Sequence, residues 1–168
     1  MTIHSSDPFA TPEHLRSPVR RLRGRLPAAV TLWTAGDQPR AGLTVSSTLI
    51  ADGDPGRLLG LVDEESDLWP VVQAVDRFAV ILLGPADQQL ADRFAGLLPA
   101  PGGLFSGYEW SQSNWGPIPS GHLTWAGCRL DGAREFGWGL LVEATIEHVE
   151  VGQDEPLVHQ HGRYRTLS

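Results

Sequence analysis

The chain has 168 residues, of which 20% are charged and 41% are hydrophobic, so we expect one globular domain rather than a disordered chain. The formal net charge of −7 disfavours general nucleic-acid binding. All 13 basic residues are arginine, which excludes a Schiff-base lysine and the lysine of a nucleotide-binding P-loop. The sequence has no apolar run of the ~20 residues that span a membrane and no signal-peptide pattern, so we expect a cytoplasmic protein that binds neither membranes nor nucleic acids.

The N-terminal part divides into a tail and the start of the domain. Residues 1–15 are polar and lack periodicity, which predicts a mobile tail, and residues 16–168 form the predicted domain. Ser17 followed by Pro18 predicts a helix that ends at or before Pro27. Arginines alternate there with apolar residues at helical spacing, which favours an amphipathic helix with a solvated basic face. The apolar residues are Val19, Leu22 and Leu26.

Strands and short helices are predicted through the middle of the chain. The runs "AAVTLWTA" and "AGLTVSST" flank the turn "GDQPR" and predict a hairpin, and "RLLGLV" predicts a third strand. Asp67 is predicted to cap a helix with Pro70 in its first turn, and "FAVILL" is predicted to be a buried strand. A further helix is predicted from the apolar face formed by Leu90, Phe94 and Leu97.

The last third of the chain predicts a long loop and more strands. Residues 102–121 are rich in Gly, Pro, Ser and Trp and are interpreted as a functional loop. The runs "HLTWAGCRL", "GLLVEATIEHVEV" and "PLVHQH" complete the strands. Six or seven strands with two or three short helices do not fit repeated βαβ units, so we predict a mainly β fold, a closed antiparallel barrel with helices outside.

One strand carries an unusual series of hydroxyl groups. Thr44, Ser46, Ser47 and Thr48 place hydroxyls on both faces, whereas an ordinary half-buried strand alternates polar and apolar residues. This indicates that a polar ligand lies against the strand. The alternative is a strand whose hydroxyls pair with those of neighbouring strands.

The order of these segments resembles the flavin reductase-like domain family from about Leu22 to Leu167. The matching elements are "GRLPAAVTLWTA", "AGLTVSST", "FAVILL", "QQLADRFAG", "WAGCRL" and "EPLVHQHGRYRTL". The resemblance implies an antiparallel Greek-key split β-barrel of the FMN-binding type that works as a homodimer. It also implies FMN as the cofactor, with FAD as the alternative, electrons taken from NAD(P)H, and a flavin-dependent monooxygenase as a partner.

The resemblance also implies where the flavin binds. The hydroxyl strand would run beside the ring and ribityl chain, the "VDEESD" loop would receive the phosphate, and an arginine from "DRFAG" or from the first helix would supply the cation. The implied cofactor contacts are Thr44, Val45, Ser46, Ser47, Asp63, Ser66, Arg93 and Phe94. Hydride transfer between two cofactors needs no protein acid or base, so we predict no catalytic residue.

Two departures from the family pattern support an alternative function. The phosphate loop carries four carboxylates, which disfavour an anion. They are Asp63, Glu64, Glu65 and Asp67. Family members that use nicotinamide typically carry Gly-Asp-His where this chain has Gly137, Trp138 and Gly139. The alternative is therefore a non-catalytic split barrel that binds flavin, another planar ligand or a protein partner.

The remaining candidate groups are assigned to packing or to stacking. Cys128 is predicted to be a buried structural thiol, and His159 with His161 lacks a third ligand, so no metal site is predicted. The six tryptophans fall into two groups. Trp33, Trp69 and Trp125 are predicted to fill the core, and Trp110, Trp115 and Trp138 to form a stacking surface for a planar ligand.

Overall fold

The computed structural model describes residues 17–167 as a mainly β fold with three α-helices. The helices are α1 (Pro18–Arg25), α2 (Leu68–Val75) and α3 (Gln88–Phe94), and a 3-10 turn at Pro85–Asp87 precedes α3. The strands are β1 (Ala28–Ala29), β2 (Thr31–Ala35), β3 (Ala41–Val45), β4 (Thr48–Ala51), β5 (Arg57–Val62), β6 (Arg77–Leu82), β7 (Trp110–Gln112), β8 (Pro117–Pro119), β9 (Trp125–Phe136), β10 (Gly139–Glu150), β11 (Leu157–Gln160) and β12 (Arg163–Thr166). Within this range none of the helices has the length and hydropathy to cross a membrane. The predicted tail at residues 1–15 lies outside the described residues.

Seven antiparallel strands form one curled sheet in the order β3-β2-β6-β9-β10-β5-β4. Its two end strands, β3 and β4, are consecutive in the chain and are joined by only Ser46 and Ser47. The backbone N–H of Leu61 on β5 donates to the carbonyl of Ser47 at 3.1 Å. The sheet therefore closes on itself where β3 passes into β4, as the predicted barrel requires.

The interior of the barrel is filled by an aromatic pair. The rings of Trp33 and Phe78 stack with centroids 4.7 Å apart and planes 15° apart, and both side chains are buried. Trp33 also lies directly over Gly60, where a Cβ atom would collide with its indole ring. The absence of a side chain at Gly60 therefore leaves room for the large ring of Trp33.

Helices α2 and α3 cover different parts of the barrel. Leu68 and Val72 of α2 join the interior cluster around Trp33. Three residues of α3 instead pack on the outer face of β2 and β6, in a second cluster that contains Leu32 and Ile81. They are Leu90, Ala91 and Phe94.

The predicted start and end of α1 are confirmed. The hydroxyl of Ser17 accepts a hydrogen bond from the backbone N–H of Arg20, and the helix ends at Arg25, before Pro27. No residue of α1 is buried. The apolar side chains remain exposed within the single chain: Val19, Leu22 and Leu26.

Three local predictions were incomplete or wrong. The loop at residues 102–121 contains the small hairpin of β7 and β8, and a strand at Arg163–Thr166 was not predicted. Asp67 precedes α2 as predicted, but its backbone is already helical and its side chain makes no capping hydrogen bond. Short strands with proline and polar residues have weak periodicity, so pairing with neighbours rather than local sequence decides whether they form.

Replacing Gly60 by alanine should destabilise the protein. The added methyl group collides with the indole of Trp33, which cannot move without disturbing its stack on Phe78. We expect the free energy of unfolding to fall by about 1–3 kcal/mol, as for other overpacked cores. Urea denaturation followed by tryptophan fluorescence measures the change.

The matched control is Gly132→Ala on β9, where a Cβ atom meets no other atom within 4 Å. We expect this variant to unfold at the wild-type urea concentration or above it, because alanine is favoured over glycine in a strand that leaves space for it. Equal stability of the two variants would contradict the close packing of Trp33 on Gly60.

Candidate functional site

The two-residue link between β3 and β4 is the centre of the candidate site. Ser47 is exposed and Ser46 is half-buried, whereas the preceding residue, Val45, is buried in the barrel. Because Ser47 pairs with Leu61 near the end of β5, the link lies beside the loop that begins at Asp63. The fold thus brings together the two segments that the sequence predicted as flavin contacts.

A buried chain of hydrogen bonds fixes this link from inside the barrel. The indole N–H of Trp33 donates to the Thr31 hydroxyl at 3.1 Å, and that hydroxyl donates to the carbonyl of Val45 at 2.6 Å. The Thr48 hydroxyl lies 3.2 Å from the same Thr31 oxygen. The sequence analysis did not single out Thr31, although a hydroxyl residue in a mostly apolar strand must find a hydrogen-bond partner when the strand is buried.

Helix α3 holds β3 from the outside. The buried Thr44 hydroxyl donates to the carbonyl of Ala91 at 2.6 Å, so it is already engaged within the protein. The ring of Phe94 lies against Gly42, where a Cβ atom would come within 2.7 Å of it. Of the four hydroxyls in this segment, those of Thr44 and Thr48 therefore bond groups within the fold, and of the link residues Ser46 is half-buried and Ser47 is exposed.

A hydrogen-bonded pair of Asp87 and His122 fixes the turn before α3. Asp87 Oδ2 accepts from the backbone N–H of Gly84 at 2.7 Å and lies 2.8 Å from His122 Nε2. The hydrogen bond to Asp87 raises the pKa of His122, against the opposing effect of burial. Burial raises the pKa of the Asp87 carboxyl, but its hydrogen bonds with His122 and Gly84 outweigh that effect and lower the pKa overall. The start of α3, and with it Ala91, is thereby held in place.

The loop from Asp63 to Ser66 turns tightly beside the link. Asp63 Oδ1 accepts from the backbone N–H of Glu65 at 2.9 Å, and the backbone N–H of Ser66 donates to the Asp63 carbonyl at 3.1 Å. The Ser66 hydroxyl oxygen is buried and bonds no group among the described residues. An unpaired buried hydroxyl costs free energy, so a ligand atom that pairs with this oxygen would remove that cost.

Arg93 bonds the loop that follows α3. One of its terminal nitrogens donates to the carbonyls of Leu104 and Ser106, the latter at 2.6 Å, and the guanidinium lies 5.1 Å from the ring centre of Tyr108. These contacts hold the loop in place. The role of Arg93 as the cation for a flavin phosphate remains a prediction.

Gly137, Trp138 and Gly139, the segment that departs from the family pattern, lie at the tip of the β9–β10 hairpin. Gly137 has φ of +61°, and the two-residue turn it makes with Trp138 connects the paired residues Phe136 and Gly139. Leu140 pairs with Val62 at the end of β5, so the tip lies near the loop that starts at Asp63. The Trp138 side chain is fully exposed, which leaves its ring face available for stacking.

The other predicted aromatic contacts are used in packing. Trp110 packs against Phe105 and donates its indole N–H to the Phe105 carbonyl at 2.9 Å. Trp115 stacks on His148 with ring centres 5.0 Å apart. Of the predicted core tryptophans, Trp33 is buried, whereas Trp69 and Trp125 are only half-buried.

The remaining groups give no second reactive centre. Cys128 is fully buried as predicted, and burial raises the pKa of its thiol to about 12. His161 has φ of +55° in the turn after β11, so it does not share a strand face with His159. Residues 17–167 contain no group of three or more His, Cys, Asp or Glu side chains placed to hold a metal ion.

Comparison with known proteins identifies the family. The sequence model of the "Flavin reductase like domain" matches residues 23–168. The chain belongs to the flavin reductase-like domain family. It is 30% identical over 166 residues to "FMN reductase (NADH) RutF 2" of Methylorubrum extorquens, with 97% of this chain and 94% of that protein covered.

A further relative and a solved structure are similar to this chain. The chain is 27% identical over 163 residues to the reductase component of an FADH(2)-dependent resorcinol hydroxylase of Rhizobium sp., covering 94% of this chain and 90% of that one. The structure of the NADH:FAD oxidoreductase SgcE6 of Streptomyces globisporus has a TM-score of 0.81 at 22% identity, covering 95% of this chain and 96% of that one. The predicted family and the predicted split-barrel fold are confirmed.

The residues of the candidate site suit the ring edge and ribityl chain of a flavin better than its phosphate. Ser46, Ser47 and Ser66 carry hydroxyl groups beside the end strand β3, and hydroxyls suit the polar edge and ribityl chain of a flavin. The carboxylates of Glu64 and Glu65 do not suit a phosphate dianion. The phosphate would therefore depend on backbone N–H groups of the loop and of the start of α2. The individual contact residues remain predictions.

Replacing Ser66 by alanine should separate a ligand-binding role from a structural one. The buried hydroxyl pairs with no described group, so its removal should leave the stability of the flavin-free protein unchanged or raise it by up to about 1 kcal/mol. Flavin affinity should fall by about five- to tenfold, because a ligand atom loses its partner. Urea denaturation without flavin and titration followed by flavin fluorescence measure the two effects.

The control is Ser113→Ala, which removes a hydroxyl that donates to the Gly116 carbonyl at 2.6 Å in a distant turn. This variant should lose about 1 kcal/mol of stability and keep its flavin affinity. The ligand-binding role of Ser66 would be wrong if its alanine variant were destabilised and bound flavin as the wild type does.

Proposed function

We propose that this chain is an NADH-dependent flavin reductase that binds flavin noncovalently along the link between β3 and β4. The observation that carries the proposal is the meeting of the hydroxyl link, the Ser66 loop and the hairpin tip at one end of β5, in a chain of the flavin reductase-like domain family. The Methylorubrum relative is named as an NADH-dependent FMN reductase, which agrees with the predicted oxidoreductase class and cofactors.

The protein contributes position rather than proton transfer. A bound flavin supplies the acceptor for the hydride of NADH. The chain orients that acceptor through Ser46 and Ser47, whose backbone is held by the hydrogen bonds from Trp33 through Thr31 to Val45. Closely packed side chains behind the link keep water from one face of the site. The buried thiol of Cys128, with its raised pKa, is not a redox group in this reaction.

We also propose that two copies of the chain form a homodimer that covers β4. Leu49 and Ile50 are neighbours on this strand, so their side chains point to opposite faces, yet they are 62% and 60% exposed. A strand with large aliphatic side chains exposed on both faces is typical of a surface that another chain covers. Because β4 begins directly after Ser47, the second copy would form part of the wall of the flavin site.

The reduced flavin is proposed to pass to a flavin-dependent monooxygenase. The Rhizobium relative is named as the reductase component of a hydroxylase, which supports a partner of this class. Transfer of a noncovalently held flavin fits a site that lies at the surface of the barrel. A cytoplasmic location, where NADH is available, remains our proposal.

Purified protein should be yellow or bind added FMN or FAD, and should then oxidise NADH. Replacing both Ser46 and Ser47 by valine should weaken flavin binding by about 1–3 kcal/mol, because polar atoms of the flavin lose their partners. Spectra, fluorescence titration and the loss of NADH absorbance measure these properties. The control Thr166→Val changes an exposed strand residue on β12 and should bind flavin as the wild type does.

The outcomes of this experiment separate the candidate functions. A colourless protein that neither binds flavin nor oxidises NADH would overturn the proposal. A protein that binds flavin but is inert toward NADH would favour the non-catalytic binding module, for which the acidic loop and the Gly137–Gly139 departure argue. Unchanged affinity in the double variant would place the flavin elsewhere.

The homodimer is tested by replacing Leu49 and Ile50 together by glutamine. Both side chains are exposed in the single chain, so the variant should fold, but the covered apolar surface would now contain polar groups. Sedimentation velocity should show twice the 18.2 kDa chain mass for the wild type and a shift to the monomer for the variant. The control Leu98→Gln, in a loop, should keep the wild-type mass. A monomeric wild type would contradict the proposal.

A further inference from the structure

His122 joins two segments of the chain that are far apart in sequence. It lies in the loop after β8, and its Nε2 atom is 2.8 Å from Oδ2 of Asp87 in the turn before α3. Each of the two side chains has only 17% of its surface exposed. A hydrogen bond that is shielded from water in this way is stronger than one at the surface. The pair therefore attaches the start of α3 to the loop after β8.

The loop that carries His122 is itself held to the barrel. The carbonyl of Thr124 accepts a hydrogen bond at 3.0 Å from the backbone N–H of Leu82, at the end of β6. Asp154 Oδ2 accepts a hydrogen bond at 3.2 Å from the backbone N–H of Leu123. The residues on both sides of the attachment are thus bonded to other parts of the fold, and the loop is a support for α3.

A short series of contacts leads from Asp87 to the proposed flavin-binding link. Asp87 directly precedes α3, and Ala91 lies one helical turn further along. The carbonyl of Ala91 accepts the 2.6 Å hydrogen bond from the hydroxyl of Thr44. Thr44 lies on β3, two residues before Ser46. A change in the strength of the bond between Asp87 and His122 therefore acts on β3 through a single helical turn.

The charge of His122 changes near neutral pH, whereas Asp87 stays ionised there. The hydrogen bond to Asp87 raises the pKa of His122 above its ordinary value of 6.5, although burial opposes this effect. Burial raises the pKa of Asp87, but its hydrogen bonds to His122 and Gly84 outweigh that effect and lower the pKa overall. The pair therefore passes from charged to half-charged when the pH rises and His122 loses its proton.

Asp87 is the charged partner of His122 among the described residues. Three other carboxylates belong to segments packed against the pair: Glu109, Asp154 and Glu155. Asp154 is bonded to the backbone of the loop, and none of the three forms an ion pair with His122 within residues 17–167. The pH response of the attachment is therefore that of one histidine and one carboxylate.

We propose that His122 is a positioning residue for the flavin-binding link, and that its protonation strengthens the hold of α3 on β3. A hydrogen bond between two charged groups is stronger than one to a neutral ring. Protonated His122 therefore fixes Asp87 and the start of α3 most strongly, and the bond from Thr44 to Ala91 passes this restraint to β3. The inference rests on the proposed flavin reductase function.

The direction of the pH effect follows from the raised pKa of His122. The folded protein holds the proton more tightly than the unfolded chain does. The pair therefore contributes stability that is fully present below the ordinary value of 6.5 and is lost as the pH rises through the raised value. Flavin affinity should fall in the same direction, because β3 is then held less strongly.

The experiment compares the wild type with His122→Gln at about pH 6 and about pH 9, by fluorescence titration with FMN and by urea denaturation without flavin. Glutamine can keep a hydrogen bond to Asp87 but does not titrate. Between the two pH values, the FMN affinity of the wild type should fall about threefold more than that of His122→Gln. The free energy of unfolding should also fall more in the wild type.

The matched control is Tyr164→Phe, which removes a different hydrogen bond to α3. The Tyr164 hydroxyl donates to Asp92 Oδ1 at 2.7 Å, and burial raises its pKa, so this group does not titrate between the two pH values. Tyr164→Phe should therefore respond to pH as the wild type does, whatever its affinity for FMN. If His122 had only a structural role, its glutamine variant would also keep the pH response of the wild type.

A measurement on the unchanged protein covers the case in which His122→Gln does not fold. Proton binding and flavin binding are reciprocal, so FMN must raise the pKa of His122 further if protonation strengthens flavin binding. NMR titration of the histidine ring signals with and without FMN measures this change. His148, which stacks on Trp115 away from α3, is the internal reference.

The proposal is overturned if the wild type and His122→Gln respond equally to pH, or if FMN leaves the pKa of His122 unchanged. Normal FMN binding and NADH oxidation alongside either result would leave the proposed reductase function intact. A protein that binds no FMN at either pH would contradict both the proposed function and this role of His122. The two failures can therefore be told apart.

Discussion

The direct passage of β3 into β4 is the constraint on which the candidate site depends. The usual twist of the seven antiparallel strands curls the sheet until its end strands, β3 and β4, come together. Only Ser46 and Ser47 connect these two strands. The hydrogen bond from Leu61 to the Ser47 carbonyl and the Thr31 hydroxyl bond to Val45 secure the junction. In a closed barrel most backbone N–H and C=O groups bond to neighbouring strands. The junction between β3 and β4 interrupts this pairing, so polar groups lie at the surface there.

The aromatic core behind the junction explains why it is rigid. Trp33 contributes a stacked ring to the interior and an indole N–H to the hydrogen bonds that end at Val45. Gly60 on the opposite side gives the ring its space. Trp33 therefore links the packing of the barrel interior to the position of β3. Support of this kind keeps binding groups in place without involving them in contacts to the ligand.

Charge around the site is distributed unevenly. Carboxylates dominate the loop after β5, and Arg93, the nearest candidate cation from sequence, is committed to carbonyls of the loop after α3. The site therefore suits the neutral parts of a flavin better than its phosphate, and weak retention of the phosphate would favour release of the reduced flavin.

The sequence by itself determined the fold class, the family and most of the strands. Alternating and fully apolar runs such as "FAVILL" predict strands because their periodicity reflects burial, and Ser17 with Pro18 predicts a helix start because capping is local chemistry. Only the tertiary structure decided which groups the hydroxyls of Thr44 and Thr48 bond. Thr44 and Thr48 bond Ala91 and Thr31, which lie 47 and 17 residues away in the chain. It also decided that Arg93 bonds the carbonyls of Leu104 and Ser106, because the direction of a long side chain depends on partners that no local pattern specifies.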